Sequence, residues 1–169
     1  APDLAAVKAS RADQSDCYLG PNVIELCRLA DIVFMALHGD VGENGKLQAT
    51  FDVLGIKYTG PNYLGSALAM DKGITKKIFK DAGVPTPLGT ALKKENKDVA
   101  LADLGLKLPV VVKPCAGGSS IGVYIVNTEE EYKEAIEKSF TYEDEVVIEP
   151  YIKGREFACG IIDGKALPV

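Results

Sequence analysis

The residues with the most chemistry in the shortest span are Lys113-Pro114-Cys115-Ala116-Gly117-Gly118-Ser119-Ser120-Ile121-Gly122. A lysine closes an apolar stretch, and a paired serine follows. Glycines leave backbone N–H groups open to an anion and permit positive φ. Serine hydroxyls add donors, and an ammonium supplies point charge for phosphate oxygens. The order is not that of a Walker loop, where Gly-Lys-Ser/Thr opens a helix. Here the loop joins two apolar runs. It reads as a phosphate-binding flap or as a flexible hairpin with a solvated lysine. A second group, Glu149-Pro150-Tyr151-Ile152-Lys153-Gly154-Arg155-Glu156, sets two carboxylates around a turn. Backbone groups of Tyr151 and Ile152 could meet an adenine edge and Glu156 ribose hydroxyls; a solvated charged turn is the alternative. Lys72 follows an apolar stretch, and His38-Gly39 ends another. Carboxyl ends of strands are where open α/β sheets bind ligands, but a helical lysine and a strand-end histidine also occur as plain surface residues.

Composition removes several other chemistries. The four cysteines, Cys17, Cys27, Cys115 and Cys159, match no zinc spacing, and there is one histidine. No Ser-His-Asp set can be assembled from the sequence. No metal ligand is assigned within these residues, although magnesium held by carboxylates and ligand phosphates stays open. Lys plus Arg total 19 against 24 for Asp plus Glu, a net charge of -5 with no basic tract. Nucleic-acid binding, which needs clustered positive charge, is not expected. No apolar run approaches the ~20 residues that span a bilayer, and the start has no signal-peptide pattern. Scattered cysteines in such a chain fit a reducing compartment.

The elements that must position these residues read as mixed α/β. Residues 1–19 are weakly patterned and 22–26 have helical spacing. Residues 31–37 form a nearly continuous apolar run, as in a parallel strand buried on both faces. After the loop at 42–45, residues 46–54 read as a helix with Leu47, Phe51 and Leu54 on one stripe, stopped by Gly55. Residues 56–59 are a short strand, completing a β-loop-α-β unit of a doubly wound sheet. Residues 64–80 are helical, as two helices meeting near Asp71, a plausible cap. Strands are expected at 88–92, 108–114, 121–126, 145–149 and 156–162, with a short helix over 96–104. Thr128 and Glu131 form a capping box for a helix over 129–138. Asp163-Gly164 turns the last strand into a hairpin. The chain of 169 residues does not begin with Met and stops in the returning arm of that hairpin. It therefore reads as an internal or truncated segment.

Taken in order, these strings resemble the D-alanine-D-alanine ligase family of ATP-grasp enzymes. Ala36-Leu37-His38-Gly39 followed by Gly42-Glu43-Asn44-Gly45-Lys46-Leu47-Gln48 is similar to its His-Gly…Gly-Glu-Asp-Gly-x-x-Gln motif. Gly55-Ile56-Lys57-Tyr58-Thr59-Gly60 fits its next strand. Ser66-Ala67-Leu68-Ala69-Met70-Asp71-Lys72 is close to its most characteristic string. Lys113-Pro114 with Gly118-Ser119-Ser120-Ile121-Gly122 resembles its Lys-Pro…Gly-Ser-Ser-Val-Gly loop, and Glu149, Gly154, Glu156 and Phe157 its hinge. The resemblance runs over about residues 31–169. Departures are Asn44 for the usual Asp, Lys46, and Cys115-Ala116-Gly117 in the flap. None falls on a ligand carried over.

The resemblance implies a partial N-terminal doubly wound α/β domain followed by the central α+β domain of an ATP-grasp fold. Residues 1–71 would be the remnant of the substrate-side domain, 72–156 the central domain and 157–169 the start of a truncated third. It implies ATP-dependent ligation of two D-alanines through an acyl phosphate, in peptidoglycan precursor synthesis, by a cytoplasmic enzyme that is a homodimer at full length. The segment alone would be inactive. ATP and Mg2+ (or Mn2+) are the implied cofactors, with the magnesium ligands outside these residues. Lys72 and Lys113 would bind ATP phosphates with the Ser119-Ser120 loop. Glu149, Tyr151 and Ile152 would line the adenine, and Glu156 would bind ribose. Ser119 would join the substrate-side network and His38 would lie beside the first D-alanine. The alternatives are a D-alanine-D-serine or D-alanine-D-lactate ligase and, in a different class, a non-catalytic nucleotide-binding or protein-interaction module.

Overall fold

The computed structural model describes residues 3–118 and 120–169. Ser119, assigned to the loop above, lies outside the described residues. The chain divides into two compact units: the described residues of Ala1–Ile78 with those of Cys115–Ile121, and Phe79–Pro114 with Gly122–Val169.

The first unit is mostly helical. Helix α1 (Leu4–Ala9) stands in the stretch that lacks a sequence pattern, because Asp3 caps it by accepting the Ala5 and Ala6 N–H groups at 3.0 and 3.2 Å. Helix α2 (Val23–Leu29) follows the expected spacing. Residues 40–43, expected as part of a loop region, form a one-turn helix, α3 (Asp40–Glu43). Helix α4 (Lys46–Leu54) is as expected. Gly55 ends it at φ +66°, and the Ile56 N–H reaches back to the Phe51 carbonyl at 2.9 Å. This closure brings Ile56 onto the same core as Phe51 and Leu47. Helices α5 (Tyr63–Met70) and α6 (Lys72–Asp81) meet at Asp71, whose carboxylate accepts the Ile74 N–H at 2.8 Å.

The doubly wound sheet expected here is not formed among the described residues. Residues 31–37 and 56–59 meet at one parallel bridge, Val33 with Tyr58. The Val33 N–H donates to the Lys57 carbonyl at 2.8 Å and the Thr59 N–H to the Val33 carbonyl at 3.0 Å. The next bond, from the Met35 N–H, goes to the Thr59 hydroxyl instead of a backbone carbonyl. Val33 and Met35 pack on the core while Ile32, Phe34 and Leu37 are exposed. The apolar run therefore has one covered face, not the two that its continuity implied.

The second unit holds a four-stranded sheet with helix α7 (Glu129–Ser139) packed against it. Strands β1 (Thr90–Lys93), β2 (Val110–Pro114), β3 (Tyr124–Val126) and β4 (Glu145–Pro150) run in the order β1-β4-β2-β3, antiparallel throughout. Val110 and Val112 of β2 and Val146 and Ile148 of β4 are fully buried in the core with Tyr132, Ala135, Ile136 and Phe140 of the α7 region. The α7 capping box is present: Thr128 Oγ1 accepts the Glu131 N–H at 3.2 Å, and the Glu131 carboxylate accepts the Asn127 N–H at 2.7 Å. The helix expected over residues 96–104 is instead two 3-10 turns, Lys94–Asn96 and Leu101–Leu104, because short bonds such as Asp103 N–H to Ala100 carbonyl place Leu101 in the core. The strand expected over 156–162 shrinks to β5 (Ile161–Ile162), which pairs only with β6 (Lys165–Ala166). Its turn is as expected, with Asp163 and Gly164 at φ 48° and 73°.

Ile148→Ala is expected to lower the unfolding free energy by about 2–5 kcal/mol in urea denaturation. Thr128→Ala, which removes only a cap, should cost roughly 1 kcal/mol. Burial, and then the nearby Glu129 charge, raise the pKa of Tyr132, which is buried in this core. The fold thus favours the neutral phenol, and that contribution is complete below pH about 10 and lost as pH rises through the raised value. Stability should stay level up to pH about 10 and decline above it as pH rises toward the raised value, with a smaller decline in Tyr132→Phe.

Candidate functional site

Lys72 is the first residue of α6, directly after the capping Asp71. Its backbone N–H donates to the Cys115 carbonyl at 2.9 Å, and its ammonium donates to the same carbonyl at 3.2 Å and to the Gly117 carbonyl. The glycine loop is thus tied through its carbonyls to a lysine 43 to 45 residues away in sequence. Ser120 is exposed and at φ 59°. Cys115, at the start of the loop, is buried.

A cleft of about 550 Å³ opens within the first unit. Met35, Leu37 and Met70 give it an apolar part, and Glu43, Lys72 and the Gly117-Gly118 backbone a polar one. Helix α3 turns Glu43 back so that its carboxylate accepts the Gly39 N–H. His38, one residue earlier, is exposed. The cleft can therefore offer a small ligand an anionic group, a cationic group and an apolar wall.

In the second unit, Lys113 and Glu149 form an ion pair. Their meeting follows from the pleat. On β2, Val110 and Val112 face the core, so Val111 and Lys113 face the other side. The register sets Val111 opposite Glu149 and Lys113 opposite Val147. Lys113 and Glu149 are then diagonal neighbours on one face, within reach of a long side chain. Their side chains keep 21% and 10% of their exposure, so the pair is mostly removed from water. Past the strand, Tyr151 is held by its N–H donating to the Pro109 carbonyl at 3.0 Å, while Ile152 and Glu156 are exposed.

The structure brings together Lys113 with Glu149, and Lys72 with the glycine loop. Sequence reasoning named these residues but not these partnerships. It also passed over Gln48 and Ser66, both 4% exposed and both lining the cleft. The available signal was a polar side chain on each helix at a position packed inward. Among the described residues no three His, Cys, Asp or Glu side chains cluster as a metal centre requires, and no helix is long and apolar enough to cross a membrane.

Two family models match: D-ala D-ala ligase N-terminus over residues 3–61 and D-ala D-ala ligase C-terminus over residues 78–169. The chain belongs to the D-alanine-D-alanine ligase family. It is 42% identical over 162 residues to a D-alanine-D-alanine ligase of Pediococcus pentosaceus, covering 96% of this chain and 46% of that protein. The structure of a D-alanine-D-alanine ligase from Bacillus anthracis complexed with ATP aligns with TM-score 0.77 and 44% identity, over 87% of this chain and 49% of that one. A D-Ala:D-Ser ligase from Enterococcus faecalis aligns with TM-score 0.68 and 38% identity, over 74% and 37%. The chain spans about half the length of the curated relatives it matches. The likeness is not confined to residues 31–169: it begins at residue 3, and alignments to relatives cover 88–98% of the chain. The expected extent of the resemblance is corrected by these matches: the two family models together meet residues 3–61 and 78–169, nearly the whole of this chain, while the alignments cover about half of each relative.

Glu149→Gln should destabilise the protein by about 2 kcal/mol in urea denaturation, since it leaves the Lys113 charge mostly buried and less compensated. Adding Lys113→Met to it should restore much of that loss.

Proposed function

We propose that the protein takes part in ATP-dependent ligation of two D-alanines to D-alanyl-D-alanine. One carboxylate takes the γ-phosphoryl group to give an acyl phosphate, and the amine of the second D-alanine attacks it with release of phosphate. The observation that supports this most is the match of both family models along one chain whose glycine loop is anchored by a lysine. The finer ATP-grasp assignment of the fold, the peptidoglycan role, the cytoplasmic location and a homodimer are part of the same reading.

The residues present suit a nucleotide. Phosphoryl transfer needs cations and N–H groups aimed at the transferring oxygens, and it needs water kept from the activated acyl group. Lys72 and the loop that carries Ser119 and Ser120 are assigned to phosphate oxygens. Lys113 is assigned to phosphate as well, exchanging its contact with Glu149 for one with the nucleotide. Glu149, Tyr151 and Ile152 are assigned to the adenine and Glu156 to the ribose. His38 and Ser119 are assigned to the first D-alanine. Magnesium or manganese, which would neutralise phosphate charge, would be held largely by phosphate oxygens and by no three-residue cluster among the described residues. A D-alanine-D-serine ligase is the second reading, favoured by the likeness to the Enterococcus enzyme.

Within a chain of the full length that the relatives have, ATP, magnesium and D-alanine should give dipeptide and phosphate in equal amounts, while residues 1–169 alone should form no dipeptide; a mixed dipeptide formed preferentially with D-serine would favour the second reading. Lys72→Ala and Lys113→Ala should each weaken ATP binding by roughly 1–3 kcal/mol in calorimetry. Absence of any dipeptide from the full-length chain, or unchanged ATP affinity in both variants, would overturn the assignment.

A further inference from the structure

Gln48 and Ser66 are an exception to the way this chain treats buried polar atoms. Gln48 Oε1 and Ser66 Oγ are buried and have no hydrogen-bond partner among the described residues. Buried polar atoms are nearly always paired with protein or with an ordered molecule, because an unpaired one carries its full desolvation cost. The amide orientation of Gln48 is not arbitrary. Its Nε2 donates to the Gly42 carbonyl at 2.9 Å, and a flipped amide would set two acceptors against each other. Oε1 is thus left as an acceptor that needs a donor. Both residues line the same cleft as Glu43 and Lys72.

The local backbone explains why the two side chains share that wall. Gly45, at φ +88°, caps α4, and a Cβ there would collide with the Tyr63 carbonyl and lie 3.3 Å from the Ala67 nitrogen. This close approach seats the first turn of α4, which carries Gln48, against α5, which carries Ser66. Gln48 in turn holds Gly42, and the adjacent Glu43 holds the Gly39 N–H.

We infer that Gln48 and Ser66 form a binding site for a small hydrogen-bond donor, either a water molecule or the ammonium of a bound amino acid, and that the occupied site positions the 38–43 segment of the cleft. Water suits a polar recess with two unpaired groups. An ammonium suits the adjoining Glu43 carboxylate, and only that source rests on the ligase reading above.

The test is a sign. Removing a hydroxyl that has no partner should be neutral or stabilising, whereas removing one that holds a donor should cost stability. Ser66→Ala, Gln48→Met and the double variant are melted with and without D-alanine, and hydrogen exchange of residues 39–44 is followed. For water, Ser66→Ala without ligand should lower the melting temperature by a few degrees and speed that exchange severalfold. The double variant should then lose less than the sum of the singles, because both release the same molecule. For an ammonium, Ser66→Ala should melt at or above the parent temperature without ligand, and should lose the stabilisation that D-alanine confers on the parent. The inference is overturned if Ser66→Ala is not destabilised and responds to D-alanine as the parent does, or if the two single losses simply add. A parent that shows no response to D-alanine counts against the ligase reading and the ammonium source, while the ligand-free melts still decide the water site.

Discussion

The antiparallel pairing of β2 with β4 is the constraint on which the second unit depends. Its register sends Val110, Val112, Val146 and Ile148 to the α7 side and Lys113 and Glu149 to the other. A one-residue slip would exchange the faces. If β2 is the strand that slips, it would bury the Lys113 ammonium in the apolar core and remove Val110 and Val112 from it. The same pairing that stabilises the unit therefore also brings Lys113 and Glu149 together as a mostly buried ion pair. Stability and site geometry here are consequences of one period of two.

In the first unit the comparable device is Lys72. It begins a helix, so its backbone N–H is one of those left without an intrahelical acceptor. The Cys115 carbonyl takes that bond, and the side chain continues along the loop to the Gly117 carbonyl. A glycine-rich loop has little packing of its own, and this tether supplies what the side chains cannot. Glu43 does similar work at the other wall, closing α3 onto Gly39. Both charged groups thus have a structural partner within the fold while remaining at the edge of a cleft that can offer them another.

Membership of a ligase family gives these arrangements a chemical reading, in which charge on transferring phosphate oxygens is met by fixed cations and N–H groups. The cleft adds something the family motifs do not state by themselves. Gln48 falls inside one quoted motif and Ser66 inside another, yet nothing in either string says that their polar atoms end up buried without a partner among the described residues. The packing of α4 on α5 at Gly45 makes that so.

Features decided by bonds within a few residues were legible in the sequence. The α4 stripe with its Gly55 stop, the Asp71 cap, the Thr128-Glu131 box and the Asp163-Gly164 turn all formed where the residue types placed them. Each depends on a hydrogen bond or a backbone angle that neighbouring residues alone can satisfy. The family strings, being local, were equally legible, and they pointed to Lys72, Lys113 and Glu149 one residue at a time. Only the tertiary structure decided what needs a partner from far along the chain. Residues 31–37 had the composition of a doubly covered strand, but a ladder requires a neighbour, and one bridge to Tyr58 is what they found. Lys113 meets Glu149 across 36 residues, and Lys72 meets Gly117 across 45. Such pairings are set by strand register and helix seating, which arise when apolar surfaces are buried together, and no short stretch of sequence contains that information.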